Sequence, residues 1–180
     1  PFLLANLIQA LYGAVDLMVI GWYCSPESVA AVSTGTQVTQ IITSIVSGLT
    51  LGGTVLVGKY VGMKRPNDVR DTIATNLSVF FIAGMILTAL LLIFVSPILT
   101  ALKTPELSFP LARQYVSVCA WGVVFICGYN AISAILRGYG DSKSPLIFVA
   151  VSGFLNLIGD VLLVKYLHMD VSGTALATIC

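Results

Sequence analysis

Apolar residues run along this chain in long blocks separated by short polar stretches. A helix crossing a hydrocarbon core of about 30 Å needs roughly 20 such residues, and five blocks reach that length: 1–22, 26–58, 72–95, 111–136 and 145–167. A sixth opens at Val171 and is still running at residue 180. Pro1 leads straight into Phe2-Leu3-Leu4, with no basic segment or small-residue cleavage site ahead of the first block. The pattern predicts an all-α, polytopic helix bundle of about five complete helices and the start of a sixth, cut from a longer chain. Ser25-Pro26, Thr104-Pro105 and Ser144-Pro145 each offer a hydroxyl N-cap followed by a proline at the first helical position. Pro110 follows Thr104-Pro105 closely, which predicts a short interfacial turn before the fourth span.

Composition narrows the class. Hydrophobic residues make up 57% of the 180 and charged residues 9%, with a mean hydropathy of +0.97; a soluble domain is roughly 25% charged. A soluble enzyme is excluded. So is a nucleic-acid binder, because the net charge is only +1 and no basic run exceeds Lys64-Arg65. The bases also orient the bundle. Lys59, Lys64, Arg65, Arg70, Arg137 and Lys143 fall at one end, and Lys103, Arg113 and Lys165 at the other. The bias puts the loops after the second and fourth spans in the cytoplasm. Cys24, Cys119, Cys127 and Cys180 form no metal or CxxC spacing and read as small hydrophobes.

Six of the acids, Glu27, Asp68, Asp71, Glu106, Asp141 and Asp170, lie in loops. Asp16 and Asp160 do not: both are flanked on both sides by apolar residues. An acid at a helix centre costs about 2.5–3.5 kcal/mol on insertion scales, so a partner, a cavity or a function is expected. Counting from the outer ends places Asp16, Asp160 and Thr178 at one depth, roughly 10 Å below the surface at 1.5 Å per residue. Asn156 shares a helix face with Asp160, and Gln9, Tyr12 and Asp16 form one polar stripe on the first span. Asp16, Asn156, Asp160 and Thr178 are thus able to converge on an oxygen-rich site suited to a proton or Na⁺. Interhelical hydrogen bonding is the alternative role, at about 0.6 kcal/mol each.

Several motifs lead elsewhere and are set aside. Gly53 to Lys59 fits a phosphate-loop spacing, but Tyr60 stands where a Ser or Thr is needed and no strand precedes it. Gly48/Gly52 and Gly58/Gly62 predict close helix approach. The sequon Asn76-Leu77-Ser78 lies inside a span, and His168 lies by an outer loop. Arg137 and Asp141 read as a loop pair, a helix cap or a gating contact.

Val15-Asp16 with Ile20-Gly21, Gly48-Leu49-Thr50-Leu51-Gly52, the stretch from Ile135 through Arg137-Gly138-Tyr139-Gly140-Asp141 to Pro145, Leu155-Asn156-Leu157-Ile158-Gly159-Asp160 and Gly173-Thr174-Ala175-Leu176-Ala177-Thr178 together resemble the multidrug and toxic compound extrusion (MATE) family. The resemblance runs from end to end and in family order. It implies the N-terminal lobe, residues 1–180, of a twelve-helix antiporter in the bacterial plasma membrane. Such a protein expels small organic cations in exchange for H⁺ or Na⁺, without a further cofactor and without a nucleic-acid partner. The missing partner is the C-terminal lobe of the same chain. By the same resemblance Asp16, Asn156, Asp160 and Thr178 form the cation site, and Gln9, Tyr12, Asn130 and Ser133 line the substrate cavity. Two other readings stand beside it: a lipid-linked oligosaccharide flippase of the wider superfamily, and a structural membrane protein whose acids only pack. No HExxH, GxSxG or Cys/His dyad supports an enzyme.

Overall fold

The computed structural model describes the backbone of residues 2–166 and 169–179, with side chains except those of residues 2–6, 8–10 and 12. Among the described residues the fold is six α-helices: α1 (Phe2–Tyr23), α2 (Pro26–Gly62), α3 (Pro66–Ala101), α4 (Phe109–Gly138), α5 (Lys143–Asp160) and α6 (Asp170–Ile179). A π-helical segment, Val161–Tyr166, continues α5. Four helices of the described residues are long and apolar enough to cross a membrane: α2, α3, α4, and α5 together with its π segment.

The helices overrun the apolar blocks for a physical reason. Hydropathy marks only the part immersed in hydrocarbon, whereas α2 has 37 residues and α3 has 36, roughly 55 Å at 1.5 Å per residue. The third helix therefore starts at Pro66 rather than near residue 72, its charged first turns lying beyond the apolar stretch.

Of the three predicted N-caps, one forms as expected. The Ser25 hydroxyl accepts from the Ser28 N–H at 3.3 Å. Thr104 instead closes the end of α3, donating to the Leu99 carbonyl at 2.9 Å, and a turn through Pro105 leads to α4. Ser144 is already inside α5. Asp141 takes the capping role, its Oδ1 accepting from the N–H groups of Lys143 and Ser144, both at 3.0 Å. Pro145 then falls within the first turn, where a missing N–H costs no helical bond.

α4 is the central helix, packed most extensively on α2 and α3 and also against α6; α1 packs chiefly on α5. The main apolar core draws Val32, Val38 and Val46 from α2, Phe80, Leu91 and Leu99 from α3, and Val116, Val123 and Cys127 from α4, with Ile20, Val171 and Ala175 from α1 and α6. No residue of α5 enters it. Of the expected glycine pairs only Gly58 lies at a close helix approach, its Cβ position 3.4 Å from the Gly138 carbonyl oxygen of α4. A Cβ added at Gly48, Gly52 or Gly62 would meet nothing within 4 Å. At Gly35 it would meet the Tyr115 ring at 2.2 Å, and at Gly122 the Ile179 side chain at 2.2 Å. Tight seams therefore include α2 on α4 and α4 on α6, and α2 on α3 where Gly53 faces the Asn76 side chain. Cys119 and Cys127 are buried free thiols and Cys24 is a half-buried one, while Cys180 lies outside the described residues.

Candidate functional site

α1, α5 and α6 bring their polar residues together. Thr178, the penultimate residue of α6, shares its hydroxyl proton between the Thr174 carbonyl at 2.8 Å and Asp16 Oδ2 at 3.1 Å. Asp160 and Asn156, one turn apart on α5, face the same Asp16 carboxyl. Asp160 is 0% exposed and Asp16 2%. The approach of α5 to α6 depends on Gly159, where a Cβ would stand 3.1 Å from that of Ala177.

The cluster is rich in unmatched oxygens. Asp16 Oδ1, both oxygens of Asp160, both amide atoms of Asn156 and the Thr174 hydroxyl are buried without a hydrogen-bond partner among the described residues. Two carboxylates side by side in a low-dielectric interior cannot both keep their charge uncompensated. A proton shared between them or a hard cation held by carboxylate, amide and hydroxyl oxygens removes the conflict. No group of three or more His, Cys, Asp or Glu side chains gathers among the described residues, so a cation here would rely on Asn156 and Thr178 besides the acids.

Asp160 is also the last residue of α5 before the backbone widens into the π segment. Met169 closes that segment, its N–H reaching the Leu163 carbonyl at 2.9 Å. π turns inside helices are uncommon and concentrate at functional positions. Hydropathy carries no signal for one, since Val161-Leu162-Leu163-Val164 is simply apolar.

Two further side chains complete the surroundings. Tyr115 of α4, 1% exposed, lies near Asp16 and extends toward Thr36 and Thr178. Its place across α2 depends on Gly35. Thr174 is one helical turn from Thr178, a spacing legible in the sequence. Tyr115 had no such marker, because its partners come from helices remote in the chain.

The expected cavity residues divide. Gln9 and Tyr12 lie on α1, but their side chains are outside the described residues, as is His168. Asn130 is held at the α2–α4 seam: its Oδ1 accepts from Thr50 at 3.2 Å and its Nδ2 donates to the Ile126 carbonyl at 2.9 Å. Ser133 is buried one turn further along α4. Neither makes a hydrogen bond to the Asp16–Asp160 cluster among the described residues.

The family model for MatE matches residues 1–162. The chain belongs to the MATE family. This MATE chain is 30% identical to a probable multidrug resistance protein, YoeA, of Bacillus subtilis over 157 residues, covering 87% of the chain and 34% of the relative. It is also 30% identical to a second probable multidrug resistance protein of that organism, YpnP, over 99% of the chain and 40% of the relative. A solved inward-facing multidrug resistance MATE transporter of the MOP superfamily superposes with a TM-score of 0.90 at 25% identity, over 95% of this chain and 39% of that one. The MATE chain thus spans about a third to two fifths of the length of the relatives it matches. Membership, with the long apolar helices, sets it among multi-pass proteins of the bacterial plasma membrane.

Proposed function

We propose that residues 1–180 form the N-terminal lobe of a twelve-helix secondary antiporter that exports small organic cations in exchange for H⁺ or Na⁺ by alternating access. The carrying observation is the pair of fully buried carboxylates, Asp16 and Asp160, brought together from α1 and α5 with Thr178 of α6 donating to one of them. The relatives named as multidrug resistance proteins support the substrate class.

The mechanism follows from electroneutrality. From the outside, a proton or Na⁺ reaches Asp16 and Asp160 and discharges the pair. The neutral site allows α1, α5 and α6 to close around it and weakens the hold on a cationic substrate. On the inward side the ion leaves, and the restored negative charge favours the next organic cation. Apolar walls give broad tolerance, while the acids couple the ion to transport. Among the described residues no Lys or Arg is buried, which weighs against a cavity built for the pyrophosphate of a lipid-linked oligosaccharide.

In the full-length protein, Asp16→Asn abolishes ion-driven efflux of a fluorescent organic cation while expression is retained. Collapsing the sodium and proton gradients separately in the parent protein identifies the coupling ion. Normal efflux by the Asn variant would overturn the assignment, and would leave the acids as packing elements.

A further inference from the structure

α2 turns back on itself at the end that carries most of the bases. Lys64 adopts a left-handed backbone, φ 54°, and the reversal is pinned by the N–H groups of Lys64 and Arg65 donating to the Val61 and Tyr60 carbonyls, both at 3.1 Å. The turn delivers Lys64 and Arg65 to the same side as Arg70 of α3. Together with Tyr60 and with Tyr139, which follows α4, they line a cavity of about 480 Å³. Val61, Val69 and Ile73 form its apolar wall. All three bases are exposed, whereas Val69 is buried and Ile73 half-buried.

The charges do not balance within the cavity. Asp68 pairs with Arg65 from outside the lining, and no carboxylate lines it among the described residues. Lys59 stands near the Tyr60 ring, 5.9 Å from its centroid, and adds to the positive field. Lys64 and Arg70, with Arg65 already ion-paired to Asp68, and two phenol groups above an apolar wall match an anionic head group with a hydrocarbon tail. The guanidinium group of Arg70 is suited to bidentate contact with phosphate oxygens. The excess of bases puts this end at the cytoplasmic surface, where anionic lipids accumulate.

We infer that the α2–α3 turn and Tyr139 form a binding site for an anionic phospholipid of the cytoplasmic leaflet. The phosphate sits between Lys64 and Arg70, and an acyl chain lies along Val69 and Ile73. The site stands on the orientation of the bundle and is independent of the ion-binding reading.

The test uses the full-length protein in nanodiscs of phosphatidylcholine, titrated with phosphatidylglycerol or cardiolipin and read by native mass spectrometry of retained lipid. Each of Lys64→Gln and Arg70→Gln lowers retention of the anionic lipids about fivefold, the factor corresponding to roughly 1 kcal/mol per base. Lys103→Gln, at the opposite end, leaves it unchanged, and melting temperatures match the parent. Equal retention in the parent and the variants, or equal retention of phosphatidylcholine, would overturn the site. Displacement by millimolar inorganic phosphate would make it a soluble-anion site instead and overturn the lipid assignment.

Discussion

Two halves of the bundle are held by opposite means. Where α2, α3 and α4 meet, Val, Leu and Ala side chains fill the interior, and three buried polar groups find partners on a neighbouring helix. Thr88 donates to the Ala120 carbonyl at 2.9 Å, Asn76 to the Ala131 carbonyl at 3.3 Å, and Thr50 to Asn130 at 3.2 Å. Where α1, α5 and α6 meet, the buried polar atoms outnumber their partners and α5 gives nothing to the apolar core. The first half is built like an ordinary packed interior, in which most buried donors have acceptors, the Thr36 and Ser133 hydroxyls being the exceptions. The second holds buried carboxyl and amide groups left without partners, and under the proposed function an ion would satisfy them, so its stability and its function would make conflicting demands.

The largest effect expected from this contrast is at the α2–α4 seam. Gly35→Ala forces the Tyr115 ring aside and lowers stability by about 1–3 kcal/mol, as overpacking of a filled core does. Thermal unfolding of the purified full-length protein, followed by tryptophan fluorescence, reads it as a lower melting temperature. A melting temperature equal to the parent would show that the seam yields freely and that the two halves are not so different.

Next is a variant with the opposite sign. Asp160→Asn removes a buried charge while keeping the shape, so stability stays level or rises by up to about 2 kcal/mol, although ion coupling is lost. A strongly lowered melting temperature would mean that the carboxylate is a structural member like Thr88.

The smallest effect is at a helix end outside both halves. The Ser144 hydroxyl and N–H hold the Asp141 carboxyl below the usual carboxylate range, helped by the Lys143 N–H. Its capping contribution is therefore complete above the ordinary Asp value of about 3.9 and fades as pH falls through the lower folded value. Asp141→Ala speeds amide exchange at Lys143 and Ser144 at neutral pH without altering α1, α2 or α3. Unchanged exchange at those two amides would remove Asp141 from the cap.

Much of this contrast was legible in the sequence. Six helices, the isolation of Asp16 and Asp160 from solvent, and the shared depth of Thr178 follow from block length and from counting inward. What escaped depends on groups distant in the chain. The glycines that matter, Gly35 and Gly122, are marked only by what presses on them, Tyr115 and Ile179, whereas the more conspicuous Gly48/Gly52 pair contacts nothing nearby. Asp141 displaced Ser144 as a cap because its side chain reaches two N–H groups at once, a competition that a Ser-Pro spacing does not display. The π segment was equally hidden, because Val161–Tyr166 carries no residue pattern that marks a change of helix type.

The hydrogen bond between Asp16 and Thr178 joins residues 162 positions apart, and that separation is also an interval of time. At roughly 5–20 residues per second, the ribosome needs about 8–30 s to make the intervening chain. Throughout that wait α1 carries a carboxylate whose eventual neighbours on α5 and α6 do not yet exist. Its entry into the bilayer must be managed before its reason for being there has been translated.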